Sequence, residues 1–114
     1  MTLTVYGIPN CDTVKKARSF LADQGYAVSF HDFRKGGLSE DMLTRWLAAV
    51  PMEKLLNKRG TSWRKLSDAD KANEAEAHLV ALMLANPTLI KRPVIDHDGA
   101  VTVGFTDEVK ALFG

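Results

Sequence analysis

The sequence predicts an α/β fold in which a βαβ unit and a ββα unit flank a helical insertion. Three observations carry this reading. Two alternating apolar segments near the N-terminus enclose one helical stripe, no strand pattern occurs between Gly37 and Pro87, and the tail returns to two alternating segments around Asp98-Gly99. The 114 residues suit about one domain, and the 46% that are apolar suffice for a buried core without staples. One domain over residues 1–114 is expected, with a core of 1–35 and 88–114 and an insertion over about 38–87.

Each element has a local reason. Thr2–Tyr6 alternates small and β-branched residues and reads as a strand, and Gly7-Ile8-Pro9-Asn10 is a loop. A helix follows, with Val14, Ala17, Phe20 and Leu21 on one stripe and Gly25 as its stop. Ala27–Phe33 is a second strand, and strand, helix, strand at this spacing favours a parallel pair. After Lys35-Gly36-Gly37, Ser39 is placed as an N-cap, with Leu38 and Leu43 set for a hydrophobic staple. Met42, Leu43, Trp46, Leu47 and Val50 then share a face, and Pro51 ends that helix. Short turns over Met52–Leu56 and Trp63–Leu66 enclose an Asn57–Ser62 loop. Ser67 opens one capped helical stretch, whose stripe of Ala75, Leu79, Leu82 and Met83 runs to Asn86-Pro87. Pro93–Asp96 and Ala100–Val103 form a hairpin, for which Asp-Gly is a strong two-residue signal. Thr106 caps a last helix with Val109, Leu112 and Phe113 inward.

Composition excludes several functions. Fifteen basic residues against fourteen acidic leave a net charge of +1, which gives no reason to expect direct nucleic-acid binding. No apolar run approaches the roughly 20 residues of a membrane span, and the first residues lack the zones of a signal peptide, so cytoplasmic localisation without membrane association is expected. Cys11 is the one cysteine, so no intrachain disulfide forms and any redox partner sulfur comes from another molecule. A structural zinc site needs about four ligands, and His31, His78 and His97 lack that spacing, so no metal is expected.

Cys11 sits where the first loop meets the first helix. There the free N–H groups of the first turn and the positive end of the helix dipole favour an anion, with the amides of Thr13 or Val14 as donors to a thiolate. Lys15 and Lys16 help, and Asp12 opposes. A lone cysteine is commonly a small buried hydrophobe, but Pro9, Asn10 and Asp12 make a poor apolar pocket. Lys91-Arg92-Pro93 precedes a strand, where an X-Pro bond is either an ordinary strand entry or cis. Asn57-Lys58-Arg59-Gly60 is a basic loop, either solvated surface or, with Arg92, a source of bidentate donors for an oxyanion or carboxylate. Trp46 and Met83 read as core and Trp63 as half-exposed. The three histidines read as surface or packing residues, and Asp96 and Asp98 as turn residues without acid–base work.

Tyr6-Gly7-Ile8-Pro9-Asn10-Cys11-Asp12-Thr13-Val14-Lys15-Lys16-Ala17, with Lys91-Arg92-Pro93-Val94, resembles the arsenate reductase (ArsC) and Spx family, in particular its YffB-type branch. The resemblance covers essentially the whole chain, including Leu55–Gly60 and Val103-Gly104-Phe105. It implies a thioredoxin-like βαβ–ββα core with a helical insertion. It further implies that Cys11 is the redox nucleophile, Pro93 a cis proline opposite it and Arg92 an anion-binding arginine, with Arg59 matching the insertion arginine of the Spx and YffB branches.

The departures from the family's patterns bear on function. Arsenate reductases carry His and Asn where this chain has Gly7 and Ile8, and a third arginine where it has Gly104; an ungapped comparison places Asn57 at their insertion arginine. Spx-type regulators usually carry Cys-x-x-Cys, and here the second position is Val14. The expected function is therefore a glutathione-dependent thiol reductase acting on glutathionyl mixed disulfides through Cys11. Glutathione is a co-substrate rather than a tightly bound cofactor, and Lys15, Arg59, Lys91, Arg92 and Pro93 form its binding set. Glutaredoxin or a protein disulfide is a further partner. Two alternatives stay open: glutathione- and glutaredoxin-coupled arsenate reduction, and a non-enzymatic, Spx-like module binding RNA polymerase.

Overall fold

The computed structural model describes residues 2–114, which form two compact units, one running to Gly37 and resuming over Arg92–Gly114, the other Leu38–Lys91. The first unit contains β1 (Thr2–Gly7), α1 (Asp12–Asp23), β2 (Ala27–Asp32), β3 (Val94–His97), β4 (Ala100–Val103) and α7 (Asp107–Phe113). The second contains α2 (Glu40–Ala49), α3 (Met52–Leu55), α4 (Thr61–Arg64), α5 (Asp68–Ala72), α6 (Glu76–Ala85) and a 3₁₀ turn over Pro87–Leu89. Among the described residues no helix is long and apolar enough to cross a membrane.

In the first unit the sheet order is β2-β1-β3-β4. β1 pairs in parallel with β2 and antiparallel with β3, and β3 pairs antiparallel with β4. Leu3 and Val5 alternate along the central strand β1 and are buried with Val14, Leu21, Ile95 and Phe113. Burial of this cluster fixes the register, because a slip of one residue would turn Leu3 and Val5 to the opposite face. α1 ends as the glycine signal predicts: the Gly25 N–H donates to the Ala22 carbonyl and the Tyr26 N–H to that of Leu21, a Schellman motif. Asp98 (φ 54°) and Gly99 (φ 86°) both take positive φ, as a type I′ hairpin requires, and Asp96 Oδ1 accepts from the Gly99 N–H.

The second unit lacks a sheet. Its buried residues are Leu43, Trp46, Leu55, Leu56, Trp63, Leu79, Leu82, Met83, Leu89 and Ile90. Its middle is tied to its last residues by an isolated bridge between Leu56 and Ile90, flanked by bonds from the Asn57 N–H to the Leu89 carbonyl and from the Lys91 N–H to that of Leu55. Segment 88–91, expected in the sheet core, thus lies in the helical unit. Ser39 and Ser67 cap α2 and α5 by accepting from the N–H groups of Met42 and Asp70.

Three expectations are corrected. The single stretch from Ser67 to Asn86 is two helices. Asn73 Oδ1 accepts from the Ala75 N–H, a local bond that competes with the helix ladder, and Ala75 is exposed rather than in the core. Trp63, expected half-exposed, is 9% exposed. Leu112, expected inward, is 69% exposed, because α7 buries the face of Val109 and Phe113, one turn apart at i and i+4.

Candidate functional site

The site is built around the junction of β1 and α1. Cys11 is the N-cap residue of α1 with extended backbone (φ −100°, ψ 120°), its carbonyl accepts from the Lys15 N–H at 3.0 Å, and its own N–H donates to the Ile8 carbonyl at 3.4 Å. The short Ile8–Asn10 loop therefore delivers the chain directly into the helix. A close approach sets the angle: a Cβ on Gly7 would meet Val14 Cγ2 at 2.7 Å, so only glycine admits α1 this near the end of β1.

The cysteine is a free thiol, half-buried, and packs against the cluster of Leu3, Val5, Val14, Leu21, Ile95 and Phe113. Its side chain makes no capping hydrogen bond.

The register of β1 and β3 ends with Tyr6 opposite Val94, the residue that follows Pro93. Pro93 is thus at the end of β1 from which the cysteine loop departs. It is buried, the Arg92–Pro93 peptide bond is cis, and its carbonyl accepts from the Gly104 N–H at 2.8 Å. Arg92 is half-buried, and Lys15 is exposed one helical turn beyond Cys11. Cys11, Lys15, Arg92 and Pro93 all belong to the first unit.

Arg59 and Lys91 belong to the second unit, where both line an open groove of about 810 Å³ floored by Leu56 and Leu79. Asn57 organises the loop: its Oδ1 accepts from the Arg59 N–H at 3.0 Å, and a Cβ on Gly60 would meet its Nδ2 at 2.9 Å. Lys91 Nζ donates to the Glu53 carbonyl at 3.2 Å, and Lys58 pairs with Glu74 at 3.2 Å. Sequence reasoning missed Gly7 and Asn57 as positioning residues. An asparagine two residues before the arginine signals an Asx turn, whereas nothing local signals the Gly7 approach.

The histidines pack as expected. His31 lies against Tyr6 and its Nε2 is 2.8 Å from the Gly37 carbonyl, His97 joins Tyr26 and Phe113, and His78 faces Asp70.

A family model described as the ArsC family matches residues 6–112. The chain belongs to the ArsC family. The structure of a YffB protein is similar to it with a TM-score of 0.90 and 43% identity, each covering 96% of the other. A solution structure of an arsenate reductase (ArsC) related protein from Brucella melitensis has a TM-score of 0.79 and 47% identity, covering 99% of this chain and 95% of that one. The global transcriptional regulator Spx of Streptococcus mutans is 29% identical over 96% of this chain and 82% of its own length. The ArsC relatives of this chain thus include arsenate reductase-related proteins and Spx-type regulators, and its core is thioredoxin-like.

Proposed function

We propose that this ArsC-family chain is a glutathione-dependent thiol reductase. The observation that carries the reading is the lone, partly accessible thiol of Cys11 at the N-cap of α1, with no second cysteine in the sequence. Such a protein completes a redox cycle only if both other sulfurs come from its substrates. The Cys11 thiolate attacks the glutathione sulfur of a mixed disulfide, forming a Cys11–glutathione disulfide and expelling the substrate thiolate. A second glutathione thiolate then attacks the glutathione sulfur of that adduct, giving glutathione disulfide and regenerating the Cys11 thiolate. The net reaction converts the mixed disulfide and one glutathione thiol into the substrate thiol and glutathione disulfide: the substrate sulfur is reduced and the sulfur of the incoming glutathione is oxidised, so electrons balance.

Glutathione carries two carboxylates and a short extended backbone. Lys15 and Arg92 are assigned to the carboxylates, and the backbone beside Pro93 to pairing with the extended chain. Arg59 and Lys91 are proposed as further glutathione-binding cations. A reducing compartment such as the cytoplasm suits a resident free thiol.

Two observations disfavour arsenate as the substrate. The position matched to the third arginine of the arsenate reductases is Gly104, whose φ is 83°, a backbone conformation in which a side chain is strained. The position matched to their insertion arginine is Asn57, whose side chain is occupied in its own loop.

The test is turnover of glutathionylated 2-mercaptoethanol, coupled through glutathione reductase to NADPH, with Cys11→Ser and arsenate in parallel. Turnover by the wild type alone, with arsenate inert, is the expected result. Arsenate turnover through Cys11 would transfer the chain to arsenate reduction. Absence of turnover on either substrate, with Cys11 still alkylatable, would overturn the reductase reading and favour partner binding without catalysis.

A further inference from the structure

The first unit has a second feature beside the cysteine junction. β2 is an edge strand: it pairs with β1 along its whole length, and among the described residues no strand pairs with its other side. Apart from that ladder, the one backbone bond to Ala27–Asp32 among the described residues is from the Gly36 N–H to the Asp32 carbonyl. Among the described residues the outward N–H and C=O groups from Ala27 to His31 thus have no hydrogen-bond partner, and Ala27 and Ser29 are exposed. Natural sheets protect such edges with lysine, proline or a bulge, and Ala27-Val28-Ser29-Phe30-His31 has none of these.

A shallow groove of about 380 Å³ runs between α1 and this edge, lined by Lys15, Arg18, Ser19, Ala22 and Val28, with two cations and no carboxylate. Arg18 is held in place by stacking, its guanidinium carbon 4.1 Å from the centroid of the Phe30 ring. Arg34 and Lys35 follow the end of β2, and the carboxylate of Asp32 accepts from both their N–H groups. Because β2 is parallel to β1, its Asp32 end lies beside Gly7, the end from which the cysteine loop leaves.

We propose that the β2 edge docks an extended, acidic segment of a protein substrate by strand addition. The added strand satisfies the outward backbone groups of Ala27–His31, and its alternate side chains on the α1 side meet Arg18, leaving Lys15 to glutathione. Charge complementarity selects glutamate- or aspartate-bearing segments, and the Val28–Ala22 end of the groove takes a small apolar residue. The proposal rests on the thiol reductase reading and extends it: the substrate's mixed disulfide is carried on a polypeptide that this edge aligns with the cysteine end of the sheet.

The test uses a short peptide alternating glutamate and valine beside one glutathionylated cysteine, and a lysine-for-glutamate counterpart. The wild type is expected to turn over the acidic peptide with a kcat/KM about tenfold above the basic one, the ratio shrinking with salt. Arg18→Glu abolishes or reverses that ratio while leaving turnover of glutathionylated 2-mercaptoethanol unchanged. Ser19→Glu, which keeps the Arg18 stack, acts in the same direction. Amide hydrogen exchange of Cys11→Ser with the unmodified acidic peptide is expected to slow at Ala27–His31. Equal kcat/KM for the two peptides, or peptide-induced protection that avoids β2, overturns the proposal. Should the small disulfide fail to turn over at all, the reductase reading fails, and the exchange experiment still decides whether the edge binds acidic strands.

Discussion

The two compact units hold themselves together by different means. In the first, a four-stranded sheet carries two helices, and its core draws Leu3, Val14, Ile95 and Phe113 from both ends of the chain. In the second, five helices of four to ten residues and one 3₁₀ turn have no sheet beneath them. Helices this short are marginal alone, so their stability comes from burying Trp46, Trp63, Leu79 and Met83 and from tying Leu55–Asn57 to Leu89–Lys91. The comparison teaches that the chemistry proposed for Cys11 falls where the chain is geometrically constrained: the approach of α1 to the end of β1 is set by Gly7.

Four sets of changes break or sharpen this contrast, in falling order of expected effect. Cys11→Ser should reduce thiol reductase turnover to background while the far-ultraviolet circular dichroism stays native. Next come core truncations. Trp46→Ala in the second unit should cost about 3–5 kcal/mol and Leu21→Ala in the first about 2–5 kcal/mol, read from urea unfolding. Hydrogen exchange sharpens the test. Trp46→Ala should lower protection in 38–91 more than in β1, and equal loss in both units would break the contrast.

Gly7→Ala should destabilise by about 1–3 kcal/mol, because the added Cβ meets Val14 Cγ2 at 2.7 Å and α1 must shift. Turnover should fall with it, and adding Val14→Ala should recover activity beyond what stability alone explains. Last, the two arginines separate the units' roles. Arg92→Ala should raise the KM for glutathione about tenfold, the loss of roughly one charge-assisted hydrogen bond. Arg59→Ala should raise it less, about threefold, as an exposed cation does. A larger effect from Arg59 would invert the assignment.

Legibility in the sequence followed the range of the interactions. Gly25, Asp98-Gly99, Ser39 and Thr106 mark turns and caps whose chemistry lies within a few residues, and each forms as read. The misreadings depend on longer range. Helical spacing continues across Asn73–Ala75, and the Asx bond there wins because α5 buries nothing to oppose it. Trp63 is buried although it sits on a helix of only four residues, and Leu112 turns outward because Phe113 and Val109 already fill the face toward the sheet. At the candidate site, the position of Cys11 at a helix start was readable from Pro9-Asn10 and the stripe that follows. The Gly7 approach was not, because it joins a strand end to a side chain in the first turn of the helix beyond the loop.

The central claim is that one protein sulfur accepts and releases a glutathionyl group. Intact-mass spectrometry tests it most directly: the protein is mixed with glutathionylated 2-mercaptoethanol, without free glutathione, and then with glutathione added. One glutathionyl group should appear on Cys11, be absent from Cys11→Ser, and leave when glutathione is supplied. No adduct on the wild type, or an adduct that glutathione does not release, would contradict the account.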